Sequence, residues 1–302
     1  MRFSLGLTPY SRFPDLQSLQ QTARLAESLG FDGVTISDHA LMSAPHSKNL
    51  GAVWYDPLVL GTAIALCTTK LRIIFNTLVL PYHHPIRLAK AISTLDVFSG
   101  GRVTVGVGVG WMREEFDALG VSYRERGAFT EKSIGIMKAL WTGKPLGPAS
   151  NEMIFEPRPL QVPHPPIWIG GGVRRTLERA AEFGDGWHPL GKSLATLEKE
   201  AGELRLLLKG RGRPEHSLTL SYTLYDAEDA ARIGNHARAI GGEEATVLER
   251  DPQAAMNLLS RLSAIGFSHI VMRLRSNSVV ELHDAMIRFA AEIMIPMSPK
   301  RS

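Results

Sequence analysis

Pro166-Ile167-Trp168-Ile169-Gly170-Gly171-Gly172-Val173-Arg174-Arg175-Thr176 is the stretch on which the reading of the fold turns. Prolines lead into a short apolar run that reads as a buried strand, three glycines follow, and a helical pattern begins at once. A strand that passes through glycines into a helix is a βα corner. It leaves bare backbone N–H groups at a helix N-terminus, a construction that receives anions. Two arginines fall in the first helical turn, where the macrodipole disfavours cations, so they are better placed beside a bound phosphate. The plainer reading is a tight strand-to-helix turn in which glycine supplies a positive φ. On these residues alone both readings stand.

Outward from that corner the alternation repeats. Upstream, Arg102 to Val107 reads as a strand before Gly108, Gly110 and a further helix, and Leu71 to Leu80 as a strand closed by Pro81. A helix follows from Pro85 to the stop at Gly100-Gly101. Gly33 to Ser37 is a strand ending in Asp38 and His39, and Arg2 to Thr8 is another, followed by a helix from Pro14-Asp15 to Gly30. Asp56-Pro57 caps a helix through Leu66, and Arg124 to Trp141 is helical. Gly143 to Pro165 is irregular and proline-rich, an insertion with a short strand expected at Met153-Ile154-Phe155. Downstream, Asp185 to His188, Leu218 to Leu224 and His269 to Leu274 read as strands, with helices around 193–209, 251–264 and 278–293. Residues 226–250 read as a helix with a mobile loop at Gly241-Gly242.

The strand runs are too apolar for a one-sided sheet, so parallel strands buried on both faces are expected. Eight strands, each followed by a helix, predict an α/β fold, a (β/α)8 TIM barrel with an insertion between strands four and five, as a single domain over residues 1–302. A doubly wound open sheet fits less well, because its fingerprint turn after the first strand is missing.

Composition narrows the function classes. Of 302 residues 44% are hydrophobic and 21% charged, the balance of a soluble globular protein, and no apolar stretch is long enough to span a bilayer. The chain runs straight into Phe3-Ser4-Leu5-Gly6-Leu7 without a signal-type segment, and Cys67 is its single cysteine, which leaves no disulfide framework or zinc site. A reducing, cytoplasmic compartment fits. The net charge of +4 is spread out rather than gathered into the aromatic-interleaved stripe of a nucleic-acid binder, and attraction of an anionic small molecule is the better use for it.

In such barrels the C-terminal strand ends carry the site. Here they present Asp38-His39, Thr77 to Pro81, Gly108-Val109-Gly110-Trp111, the glycine triplet and Trp187-His188. Asp38 and His39 are adjacent and alternate faces of a strand, so nothing here has metal-ligand character. No Ser/His/Asp order stands out, and no lysine lies at a strand end as a Schiff-base nucleophile. What remains is an apolar slot with an anion clamp at one side, suited to a planar ring carrying a phosphate tail. His39 is the acid–base candidate beside that ring, the alternative being an exposed loop histidine next to a helix-capping Asp38. Gly106, Gly108 and Gly110 let a flat ligand lie against backbone, or relieve crowding at a barrel corner. Trp111, Trp168 and Trp187 stack on the ring or pack in the core. Glu114-Glu115 reads as favourable charge at a helix N-terminus, a ligand contact being the alternative. Tyr10, Trp54, Tyr82 and Trp111 are expected around the cavity mouth.

Taken in order, Ile36-Ser37-Asp38-His39, Asn76-Thr77-Leu78-Val79, Gly106-Val107-Gly108-Val109-Gly110-Trp111 with Glu115-Phe116 and Leu119-Gly120, and Ile169-Gly170-Gly171-Gly172 with Gly184-Asp185-Gly186-Trp187 resemble one family. It is the bacterial luciferase-like monooxygenase superfamily, in its coenzyme F420-dependent oxidoreductase branch. The similarity runs from Phe3 to Phe289 and is weakest over 143–165 and 226–250. The resemblance implies a (β/α)8 barrel, a homodimer, and binding of the deazaflavin coenzyme F420 or, alternatively, FMN. It implies that Gly171, Gly172 and Val173 hold the cofactor phosphate through backbone N–H, that Asp38 bonds to the ring system and that His39 faces the reacting carbon. Asn76, Thr77, Leu78, Val79, Gly108, Gly110, Trp111, Gly170 and Arg174 complete the expected cofactor-binding set, with no metal. A non-proline cis peptide is expected at Leu78-Val79. Trp111 stands where the sugar-phosphate dehydrogenases of the branch place a catalytic glutamate, so a flatter, apolar substrate is expected instead. The implied activity is hydride transfer between the deazaflavin and a small organic substrate, with His39 polarising or protonating that substrate. The alternatives are an FMN-dependent two-component monooxygenase, which needs a reductase to supply reduced flavin, and a non-catalytic flavin-binding protein.

Overall fold

Side-chain alternation along the strands sorts the residues into two layers. In Phe3-Ser4-Leu5-Gly6-Leu7-Thr8 the large apolar side chains join the main hydrophobic core, while Ser4, Gly6 and Thr8 take the other face. The same division recurs in Leu220-Ser221-Tyr222-Thr223-Leu224 and in His269-Ile270-Val271-Met272-Arg273. The computed structural model describes residues 1–147, 153–226, 230, 246–274 and 276–297. Its strands are β1 (Arg2–Gly6), β2 (Gly33–Ile36), β3 (Arg72–Val79), β4 (Val103–Gly108), β5 (Ile167–Gly171), β6 (Gly186–Pro189), β7 (Thr219–Tyr225) and β8 (Phe267–Arg273). They pair in parallel and in sequence order, and β8 returns to β1 to close the barrel. This is the (β/α)8 architecture expected from the repeated corner.

Outside the strands the helices start where hydrogen-bonding caps allow. Asp15 accepts from Ser18 N–H ahead of the helix Leu16–Ser28, and Asp56 accepts from Leu58 and Val59 N–H ahead of Pro57–Ala65. Ser193, Asp251 and Ser278 do the same for Leu194–Gly210, Pro252–Ile265 and Val279–Phe289, each cap worth about 1 kcal/mol. Outward-facing Leu5, Val34, Ile73, Val105, Ile167 and Ile270 pack against these helices as one core. Among the described residues no helix is long and apolar enough to cross a membrane.

Two local expectations are corrected. Between Phe75↔Val105 and Leu78↔Val107 the β3 strand carries one residue more than β4, and the cis peptide lies inside this bulge, at Asn76–Thr77 rather than Leu78-Val79. Leu78 and Val79 are already back in register with Val107 and Gly108. Met153, Ile154 and Phe155 form no strand, and Met153 and Ile154 are 78% and 88% exposed. The described part of this insertion is instead pinned to the Pro85–Ser99 helix. The buried Asp96 carboxylate accepts from the Leu160 and Gln161 N–H groups and from Gln161 Nε2. Most of 226–250, including Gly241-Gly242, lies outside the described residues.

Candidate active site

The C-terminal strand ends open into a cavity of about 650 Å³. That size suits a ligand carrying one fused ring system. From the βα corners come Ser37, Asp38 and His39, Asn76, Thr77 and Val79, Gly108 to Glu114, Gly170 to Val173, and His188. His46 and Leu50, on a short helix Ala44–Leu50, and Trp54 close one side.

His39 is held rather than loose. Its Nδ1 donates to Glu115 Oε2 at 2.9 Å, and its ring meets Trp54 and Trp111 edge-on at 4.5 and 5.8 Å. Glu115, 1% exposed, is far from a simple helix-capping charge: Oε1 accepts from the Ala40 and Leu41 N–H groups and Oε2 also from the Tyr82 hydroxyl. Burial works against its charge, but the His39 hydrogen bond and charge, the Leu41 amide and the Tyr82 hydroxyl more than offset this, leaving the carboxyl below its ordinary range. Burial, then the charge of Glu115, holds the Tyr82 phenol protonated, well above its ordinary range. The pairing fixes the His39 proton on Nδ1 and leaves Nε2 for the cavity.

Asp38 is 5% exposed, and its Oδ2 accepts from Val79 N–H at 2.9 Å and from His83 Nε2 at 2.7 Å. It braces the β3 end from below while lining the cavity.

The glycines have a measurable reason. A Cβ on Gly106 would stand 2.0 Å from the Phe75 carbonyl oxygen; one on Gly108 or Gly170 would meet the Thr77 side chain at 2.7 or 2.6 Å. The Thr77 side chain of the bulged β3 strand therefore needs bare backbone on β4 and β5. At Gly171, φ is +140° and a Cβ would stand 2.8 Å from Thr176 Oγ1. Gly172 and Val173 line the cavity at the head of the helix Arg174–Phe183. Among the described residues, no group accepts from the N–H groups of Gly172, Val173, Arg174 or Arg175.

Not every expected residue converges. Arg174 is outside the cavity lining, with Nη1 on Glu203 Oε1 at 2.7 Å, and Arg175 pairs with Glu131 and Glu178. The Leu78 side chain is in the core. Tyr10 is buried, and its hydroxyl accepts from Ser37 N–H; Trp187 packs against Phe267 and Trp168 against His269. Of the four aromatics expected at the mouth, Trp54 and Trp111 line it. The cations along the lining are Arg113 and Arg126, both over the Tyr123 ring, and Arg273. The Arg126 Nε is buried, with no hydrogen-bond partner among the described residues. Sequence reading does not assign Glu115, His188 or these arginines to the site; the position of His188 at a strand end is the available signal.

The chain is similar to known proteins in sequence and in fold. A 27% identical stretch of 261 residues, 83% of this chain and 68% of the relative, is shared with the FMNH(2)-dependent dimethylsulfone monooxygenase of Pseudomonas putida. The matches to four of the curated relatives span 63 to 71% of those proteins' lengths. In fold the chain is similar to monooxygenase RslO1 from Streptomyces bottropensis (TM-score 0.79, 22% identical, covering 99% of this chain and 100% of that one). It is also similar to an F420-dependent secondary alcohol dehydrogenase in complex with an F420-acetone adduct (TM-score 0.80, 16% identical, 98% and 99%). The family model described as luciferase-like monooxygenase matches residues 2–268. With an open glycine corner, a carboxylate-held imidazole and this match over most of its length, the chain belongs to the luciferase-like monooxygenase family and is an oxidoreductase of the flavin- or deazaflavin-dependent type.

Proposed function

We propose that the protein transfers a hydride between coenzyme F420 and a small, largely apolar organic substrate, with His39 holding or moving the proton that accompanies it. The observation that carries this reading is the His39–Glu115 pair set between Trp54 and Trp111 at the cavity wall. Glu115 keeps the ring in one tautomer, so Nε2 can accept or return a proton at the substrate. Trp54, Trp111 and Leu50 exclude water and offer an apolar, aromatic face.

The residues present fit the coenzyme. The open amides of Gly172 and Val173 suit a phosphate, and Asp38, Asn76 and Thr77 suit the polar edge of a ring. Arg113, Arg126 and Arg273, with the buried Arg126 Nε, suit a ligand whose tail carries several negative charges, which F420 has and FMN has only in its one phosphate. When bound, the deazaflavin supplies a two-electron hydride donor or acceptor that reacts poorly with oxygen. A homodimer in the cytoplasm is the setting proposed for this reaction.

The second reading, an FMN-dependent monooxygenase fed by a reductase, draws on the similarity to the dimethylsulfone enzyme. Fluorescence titration of the cofactor-free protein with both coenzymes separates the two. Binding of F420 at least tenfold tighter than FMN is expected, and the reverse order favours the monooxygenase. In the same series, His39→Ala should cut turnover by about 10²–10⁴ while coenzyme affinity stays within a few-fold. Unchanged turnover removes His39 from the chemistry.

A further inference from the structure

Beneath the cavity, the inside of the barrel is polar where barrel interiors are ordinarily filled by branched aliphatic side chains. His188 on β6, 6% exposed, has Nε2 at 3.1 Å from Asn76 Nδ2 and 3.0 Å from Thr223 Oγ1. Its Nδ1 lies 3.0 Å from Ser221 Oγ on β7, and Ser221 Oγ lies 2.9 Å from His269 Nδ1 on β8. His269 Nε2 lies 2.9 Å from Ser4 Oγ on β1 and 3.5 Å from Asp32 Oδ2. Asp32 stands just before β2, at the end of the barrel opposite the cavity, with its side chain 22% exposed. Its buried Oδ2 has no hydrogen bond among the described residues, and the His269 ring is placed to supply one.

Donor and acceptor chemistry gives this line one direction. An amide nitrogen only donates and a carboxylate only accepts. With Asn76 donating to His188 Nε2, the His188 proton sits on Nδ1 and points to Ser221. The Ser221 hydroxyl then points to His269 Nδ1, and His269 Nε2–H points to Ser4 and Asp32. Each ring must be neutral to hold one N–H and one lone pair. Burial, then the charge of His269, pushes His188 down to about 3. Burial also lowers His269, against the opposing hydrogen bond and charge of Asp32, and Arg2 and Arg72 are the further charges at that end. The Trp168 ring covers His269 at 4.9 Å.

We propose that His188, Ser221 and His269 form a proton relay through the barrel, joining the cavity floor to solvent at the opposite mouth by way of Asp32. A proton arriving from the cavity binds His188 Nε2; the Nδ1 proton passes to Ser221, the hydroxyl proton to His269 Nδ1, and the Nε2 proton of His269 to the Asp32 carboxylate. Asp32 then releases it to water. One proton enters and one leaves, and no electron or heavy-atom bond changes. Once the Asn76 amide has turned its Oδ1 to the new His188 Nε2–H, every link points the other way, so the next transfer runs from Asp32 to the cavity. Such a relay lets the cavity exchange protons while substrate fills its mouth, and it does not depend on which coenzyme is bound.

The test uses the full-length, cofactor-free protein labelled with ¹⁵N-histidine, whose long-range ¹H–¹⁵N spectra report which ring nitrogen carries hydrogen. His188 is expected as the Nδ1–H form and His269 as the Nε2–H form. Asp32→Asn replaces an acceptor by a group that can donate to His269 Nε2. Passed along the line, this should turn His188 from mostly Nδ1–H to mostly Nε2–H, with Thr223 Oγ1 accepting from Nε2 and the Asn76 amide turned to present its Oδ1. With Ser221→Ala in place, the same change at Asp32 should leave His188 unmoved. Asp32→Ala serves as a second variant if Asp32→Asn does not fold; it removes the acceptor and leaves His269 Nε2 with Ser4, whose hydroxyl both donates and accepts, so a partial shift of His188 from Nδ1–H toward Nε2–H is expected. If His188 ignores the change at Asp32 while Ser221 is present, or follows it when Ser221 is gone, the side chains are separate packing groups and the relay is overturned.

Discussion

Glu115 puts four donors on two carboxylate oxygens: His39 and Tyr82 on one, the Ala40 and Leu41 amides on the other. A glutamine there can accept on one side only, so Glu115→Gln should lower stability by about 2–4 kcal/mol at pH 7, read from urea unfolding. The pH dependence has a definite sign. The folded carboxyl lies below its ordinary value of 4.5, so its contribution is fully present above that value and is lost as pH falls through the folded one. The gap between wild type and variant should therefore narrow in acid. A gap that is constant from neutral pH into that range would mean that the charge of Glu115 does not stabilise the fold.

At the scale of elements, the fit of β3 between its neighbours rests on missing side chains. Gly106→Ala would place a carbon 2.0 Å from the Phe75 carbonyl oxygen, a backbone atom that cannot swing aside. A loss of at least ~3 kcal/mol, or failure to fold, is expected. Gly135, inside the helix Arg126–Trp141, has nothing within 4 Å of the place a methyl group would occupy, so Gly135→Ala should gain roughly 0.5–1 kcal/mol from helix propensity. Thermal unfolding of the two variants checks both, and a tolerated Gly106→Ala would mean that β3 and β4 can separate without loss of the barrel.

At the scale of the whole molecule, the barrel carries two imidazoles in its interior whose protonation opposes folding. The folded value of His188, about 3, lies below its ordinary 6.5, so the unfolded chain binds the extra proton and stability falls as pH drops from about 6.5 toward 3. One such group contributes a slope of up to about 1.4 kcal/mol per pH unit in that window. His188→Gln should flatten the stability profile there, as followed by denaturant midpoints at a series of pH values. An unchanged slope would place the titrating groups elsewhere.

The sequence by itself determined the strand–helix alternation, the βα corner at Gly170 to Val173 and the placing of His39 at a strand end, because local periodicity, caps and glycine stops are written in consecutive residues. Its apolar strand runs suggest two apolar faces, and here the structure differs. Ser4 and Ser221 each sit between large apolar neighbours and His269 between Ser268 and Ile270, and only closure of the barrel puts such residues together on the inner wall. Glu115 reads as one of two acids in a first helical turn; that it turns inward to hold His39, 76 positions earlier, is decided by how strands two to four pack. Arg174 and Arg175 read as better placed beside a phosphate, but neighbouring helices supply Glu203 and Glu131, and Glu178 pairs with Arg175 from their own helix. Contacts between residues far apart in the chain depend on which elements become neighbours, and that is fixed by the closed barrel as a whole.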